Sequence, residues 1–203
     1  MAAGATSPLY AQSIFLNSIT GSDPSTSNPY VSGQVVDSNM TANGIGRGTG
    51  LTAAVGDDRF NASSWNTSSR DADAYFTFTL SPNAEHEIDF ASFVYTGQAS
   101  GTGPTNFSLS SSLDGFVAAY GSPSPSGTTI DLSSIALQNV SGPIEFRFYG
   151  WGASSAAGTF SINSFVFNGV VTPIPEPSAV ATLLLGGLGW IITHRFKAAR
   201  GSL

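Results

Sequence analysis

Between residues 13 and 171 apolar side chains recur at every second position in short runs, and no stretch forms a convincing soluble helix. Alternation with a period of two commits a chain to extended strands that bury one face. In Tyr75-Phe-Thr-Phe-Thr-Leu80, residues Phe76, Phe78 and Leu80 point one way while Tyr75, Thr77 and Thr79 point the other. In Ile144-Glu-Phe-Arg-Phe-Tyr149, residues Ile144, Phe146 and Phe148 face a core and leave Glu145, Arg147 and Tyr149 outside. Further strands are predicted over 13–20, 30–36, 87–96, 106–111 and 128–132, with a final pair over 159–162 and 164–170. Asn163-Ser164 breaks the alternation between Phe160/Ile162 and Phe165/Phe167, and a bulge or tight turn there would keep all four inward. Clusters of Gly, Pro, Ser and Asn punctuate the runs, and the Gly/Thr/Asn-rich stretch 41–66 reads as loops. The expected fold class is all-β, an antiparallel β-sandwich or jelly roll over 13–171. With 14 Phe in the chain and no Cys, such a core is large enough to stand without disulfides.

Charge divides the chain in two. Before residue 172 there are 4 Arg against 12 acids; after it, 3 basic residues stand against 1 acid. Only 10% of residues are charged, where about 25% is usual, so polarity comes from Ser, Thr, Asn and Gly. With no Lys before position 197 the acidic domain has nothing to neutralise a phosphate backbone, which argues against nucleic acid as a partner. The absence of Cys removes thiolate metal sites and Cys nucleophiles.

The second part begins Thr172-Pro-Ile-Pro-Glu-Pro-Ser178, a proline-rich linker over 172–178 that cannot continue a strand or a helix. A 15-residue run without charge follows over 179–193. It is short for a span of about 20 residues, but Gly186, Gly187 and Gly189 disfavour a soluble helix and suit a membrane one. Arg195, Lys197 and Arg200 then form a basic cytoplasmic tail over 194–203, as the positive-inside rule requires. One C-terminal transmembrane helix is therefore expected after the β domain. Residues 1–12 carry neither a basic n-region nor an apolar h-region and read as a signal-peptide remnant or a disordered N-terminus.

Pro175-Glu176-Pro177, a glycine-bearing apolar span and a closing basic cluster, in that order, resemble the PEP-CTERM sorting signal of bacterial envelope proteins. The resemblance implies export and transient anchoring in the inner membrane by 179–193. It further implies processing near Pro175-Glu176-Pro177 by an exosortase, followed by display at the cell surface or in the extracellular matrix. Two further segments, 103–116 and 146–160, with Asn168-Gly169, resemble a β-sandwich ectodomain common among such proteins. That ectodomain carries no activity to transfer.

Residues that could carry chemistry are sparse. Of two His, His194 lies beyond the apolar run, and His86 in Glu85-His86-Glu87 reads as a solvated strand end, with Glu85 and Glu87 on the opposite face. No Gly-x-Ser-x-Gly elbow surrounds any Ser. Asp57-Asp58, Asp71-x-Asp73 and Glu87-x-Asp89 read as turn residues before they read as Ca²⁺ ligands or as a glycosidase pair, and Asp71-x-Asp73 lacks the continuation of an EF-hand loop. Gly44-Ile-Gly-Arg-Gly-Thr-Gly50 spaces glycine at every second residue and reads as a flexible loop rather than a nucleotide cradle. Tyr149 and Trp151, with Trp65, are the aromatics on which a sugar could stack, and Glu145 with Arg147 should form a surface ion pair. The expected function is that of a non-enzymatic envelope protein without a required cofactor. A carbohydrate-binding or adhesive module, with extracellular polysaccharide as partner, is the second reading, and a secreted glycoside hydrolase the third.

Overall fold

The computed structural model describes residues 11–175. Most of the predicted N-terminal segment, together with Glu176, Pro177, the predicted span 179–193 and the basic residues Arg195, Lys197 and Arg200, lies outside the described residues. Two units divide at Thr172/Pro173, and the β domain is the first. Among the described residues no helix is long and apolar enough to cross a membrane.

Eleven strands are described: β1 (Gln12–Ser18), β2 (Val35–Val36), β3 (Met40–Arg47), β4 (Thr52–Ala53), β5 (Phe60–Ser63), β6 (Tyr75–Pro82), β7 (His86–Ala99), β8 (Asn106–Ser111), β9 (Gly127–Asp131), β10 (Ile144–Trp151) and β11 (Phe160–Pro173). Short 3-10 turns occupy Pro24–Thr26, Ser112–Asp114 and Ile135–Leu137. The expected all-β class is what forms. One sheet has four strands in the order β3-β6-β10-β8; the other has seven, with β11 at its centre pairing β1, β5 and β7, and β2, β4 and β9 outside them. Alternation sets the pairing: Phe76, Phe78 and Leu80 of β6 stand opposite Phe148, Phe146 and Ile144 of β10. All six are fully buried.

The two sheets meet through phenylalanine. Phe78 of the smaller sheet touches Phe165, Phe93 and Phe167 of the larger at ring-centroid distances of 4.9, 5.3 and 5.4 Å. Phe146 meets Phe90 and Phe167, each at 5.2 Å. Most of these contacts are edge-on or tilted, the arrangement that sets a positive ring edge against a negative face and adds about 0.5–1.5 kcal/mol per pair beyond area burial.

Three expectations are corrected. The stretch 41–66 is not loop throughout, because it holds β3, β4 and β5. Its glycines are where other chain segments press closest: a Cβ on Gly44, which has φ of +78°, would stand 2.2 Å from the Tyr30 carbonyl oxygen, and one on Gly48 would stand 2.3 Å from that of Asp73. The alternating glycines thus mark close backbone approach, and the predicted flexible loop is in part an ordered edge strand. Predicted strand 30–36 shrinks to β2 and a single bridge from Tyr30 to Ile45, because Gly33 turns the chain at φ of +74°. The predicted pair 159–162 and 164–170 is one 14-residue strand, β11, which pairs β5 through 160–162 and β1 through 164–169. Its phase slips at Asn163-Ser164, where the partner changes, and Phe160, Ile162, Phe165 and Phe167 all stay buried.

Candidate functional site

The outer face of the four-stranded sheet carries three of the four cation–ring contacts among the described residues. Register places Gly46, Thr77, Arg147 and Ser110 in one row across the four strands, with Tyr75, Tyr149 and Ser108 in the next. Arg147 Nε donates to Glu145 Oε1 at 2.7 Å, the expected ion pair, with the side chains 23% and 29% exposed. Thr77 Oγ1 donates to the same carboxylate oxygen at 3.0 Å. Burial works to lower the Arg147 pKa, but the hydrogen bonds to Glu145 and Tyr149 and the Glu145 charge outweigh it and hold the value above normal. The Arg147 guanidinium also lies over two rings, Phe116 at 4.0 Å and Tyr75 at 4.2 Å.

Arg70 reaches this face from the loop before β6. Its guanidinium lies 3.9 Å over the Tyr149 ring and donates to the Phe116 carbonyl. Beneath the layer, Ser108 and Ser110 are 7% and 0% exposed, and neither hydroxyl has a partner among the described residues. Phe116 itself sits at φ of +66°, an outlier for a bulky residue, in a loop whose Asp114 carboxylate accepts the Val117 and Ala118 N–H groups.

Tyr149 points outward as expected but is only 2% exposed, because Arg70 and Tyr75 cover it. As the chain stands, the ring of this stacking candidate is covered rather than open to a sugar. Trp151 is half-buried at the end of β10, opposite Asn106. Trp65 is a core residue, 0% exposed, donating to the Ala62 carbonyl at 2.9 Å. Gly150 makes room for it, since a Cβ there would meet the indole at 3.0 Å. Pro175 follows the end of β11, and the rest of the Pro175-Glu176-Pro177 motif lies outside the described residues.

Most acids near turns are engaged with backbone N–H groups. Asp58 accepts from Gly21, Asp71 from Asp73 and Asp89 from Asn139. Glu85 does not share a strand face with Glu87, because it turns the chain at φ of +63° just before β7. His86 Nδ1 lies 3.0 Å from the Ala84 carbonyl. Among the described residues no group of three His, Asp or Glu side chains could hold a metal. One surface cleft runs along β3 at the edge of this face, lined by Gly46, Thr77 and Thr79, and two others lie beside 135–143 and beside β7; none of the three joins two titratable side chains.

One buried charge escaped the sequence reading. Arg47 is 8% exposed, donates to the Asn61 and Ser27 carbonyls, each at 2.9 Å, and lies 3.6 Å over the Phe60 ring. Burial pulls its pKa down to about 10 against the pull of Asp23. Its place one alternation beyond Ile45 was a signal that it points inward.

No family model, curated protein or solved structure matches the chain.

Proposed function

We propose that the chain is a non-enzymatic exported envelope protein whose β domain is carried to the cell surface by a membrane-anchored, processed segment over 172–203. The carrying observation is the order of three elements: Pro175-Glu176-Pro177, the uncharged run 179–193 with its three glycines, and Arg195, Lys197 and Arg200. Each has a physical role in sorting. The prolines hold an extended peptide that a processing enzyme of the exosortase type can grip, the apolar run enters the inner membrane, and the cations keep the following residues in the cytoplasm. The run is short, so the bilayer must thin around it or the flanking residues must snorkel.

A non-enzymatic domain is supported by the engagement of Asp58, Asp71 and Asp89 in turn hydrogen bonds and by the position of His86 at a strand start. A Ser/Thr/Asn surface with few charges suits a protein embedded among hydrated polymers. Replacing the motif as P175A/E176A/P177A tests the proposal in native cells by pulse-labelling and fractionation. Accumulation of unprocessed chain in the membrane is expected; processing at the wild-type rate would overturn it.

A further inference from the structure

We infer that the outer face of the four-stranded sheet holds a closed oxyanion site, formed by Arg70, Arg147, Ser108 and Ser110 and covered by the loop that carries Phe116. Two of the domain's 4 Arg meet here, in a domain with 12 acids. Arg70 has no carboxylate partner among the described residues; it rests on the Tyr149 ring and a carbonyl. Guanidinium groups form their strongest hydrogen bonds to carboxylates and to tetrahedral oxyanions, so a ring face and a neutral carbonyl leave that capacity unused.

The independent observation is the pair of hydroxyls. Ser108 and Ser110 lie on the same face as Tyr149 and Arg147, directly across the ladder, and are more than nine-tenths buried with no partner among the described residues. Buried hydroxyls are seldom left so, and two side by side beneath Arg70, with Arg147 beside them held through its Nε by Glu145, make a donor set for an anion. The cover has the marks of a movable element. Phe116 holds φ of +66° directly after Gly115 at φ of +71°, and the tip is held by the Asp114 carboxylate rather than by strand pairing. Val117, beside Phe116, is 79% exposed, so lifting the tip around 116–117 strips little apolar surface while Tyr120 stays tied to Leu109 and Ser111.

The ligand is an oxyanion, borne either on an acidic sugar or free in solution. Arg70 moving from Tyr149 to the anion would clear a ring face for the sugar, which gives the sugar-borne carboxylate the better fit. The site does not depend on how the chain is sorted, so either proposal can fail alone.

The test is isothermal titration of the full chain with trigalacturonate, neutral maltotriose and sodium sulfate, on wild type, Phe116→Gly and Arg70→Gln, with thermal unfolding run on each variant. Trigalacturonate should bind and maltotriose should not. Phe116→Gly, which relieves the strained φ and frees the loop, should tighten binding about tenfold, and Arg70→Gln should weaken it by at least as much. Sulfate binding with the same dependence on both variants, and no gain from the sugar, would support the site with a free anion as its ligand. Absence of binding by both wild type and Phe116→Gly, or binding unchanged in a folded Arg70→Gln, would overturn it.

Discussion

Tyr95 is the most exposed to test of the buried polar side chains. Its hydroxyl donates to the Ser124 carbonyl and accepts from the Ser124 N–H at 2.8 Å, tying the turn before β9 to the core edge of β7. Burial pushes its pKa up to about 12 from 10.0, against the opposing pull of its hydrogen bonding with Ser124. The folded state therefore keeps a proton that the unfolded state releases, so this contribution is whole below pH 10 and is lost as pH rises towards 12. Tyr95→Phe should cost about 1–3 kcal/mol at neutral pH, because both Ser124 backbone groups lose their partner. It should also flatten the fall in stability between pH 10 and 12, which urea unfolding at several pH values would detect. Equal alkaline slopes for the two proteins would contradict this assignment. At the acidic end, hydrogen bonds from Ser133 hold Asp131 below its ordinary 3.8. For Asp23 burial works upward, but hydrogen bonds from Gly56 and Ser25 and the Arg47 charge outweigh it. Both contributions are present above 3.8 and disappear as pH falls through the lower folded values, so Asp131→Asn should be less stable than wild type above pH 3.8, with the difference closing as pH falls. That variant has already lost the pH-dependent part, so its acid limb should be shallower than that of wild type.

Among the elements, β11 and β3 show where a sequence speaks and where it does not. Phe165 and Phe167 announce a buried face by alternation, and Phe167 is the hub, with its ring within 6.5 Å of Phe15, Phe78, Phe90, Phe93, Phe146 and Phe165. Phe167→Ala should cost about 3–5 kcal/mol in denaturant unfolding, the range for emptying a packed aromatic site. That β11 runs unbroken through Asn163-Ser164 was hidden, because the slip belongs to the exchange of β5 for β1 as partner, a tertiary event. β3 was hidden for another reason: glycine has no side chain with which to show alternation. Gly44→Ala should destabilise this edge strand by more than the ~1 kcal/mol of an ordinary glycine replacement, since the new Cβ meets the Tyr30 backbone. The same blindness affected the outer face. Tyr149 could be read as outward from β10 alone, but Arg70, which covers it, comes from a loop far away in sequence, and no periodicity reports such a meeting.

At the scale of the whole molecule, two kinds of information stand apart. The all-β domain declares itself through alternation, and its core of phenylalanine needs no disulfide or metal to explain it. The proposed address rests on residues 172–203, on proline, hydropathy and charge, which are legible in sequence because insertion into a membrane depends on composition. The proposed anion site was not legible, since Arg70, Ser108, Ser110, Phe116 and Arg147 are brought together only by strand pairing and loop return. The central claim is that the chain is exported, anchored and then processed. The measurement that tests it most directly is intact mass with terminal sequencing of the protein recovered from the envelope and medium of its native cells. Processing predicts a mature form that has lost the mass beyond the Pro175-Glu176-Pro177 region; a full-length C-terminus confined to the membrane fraction would contradict it.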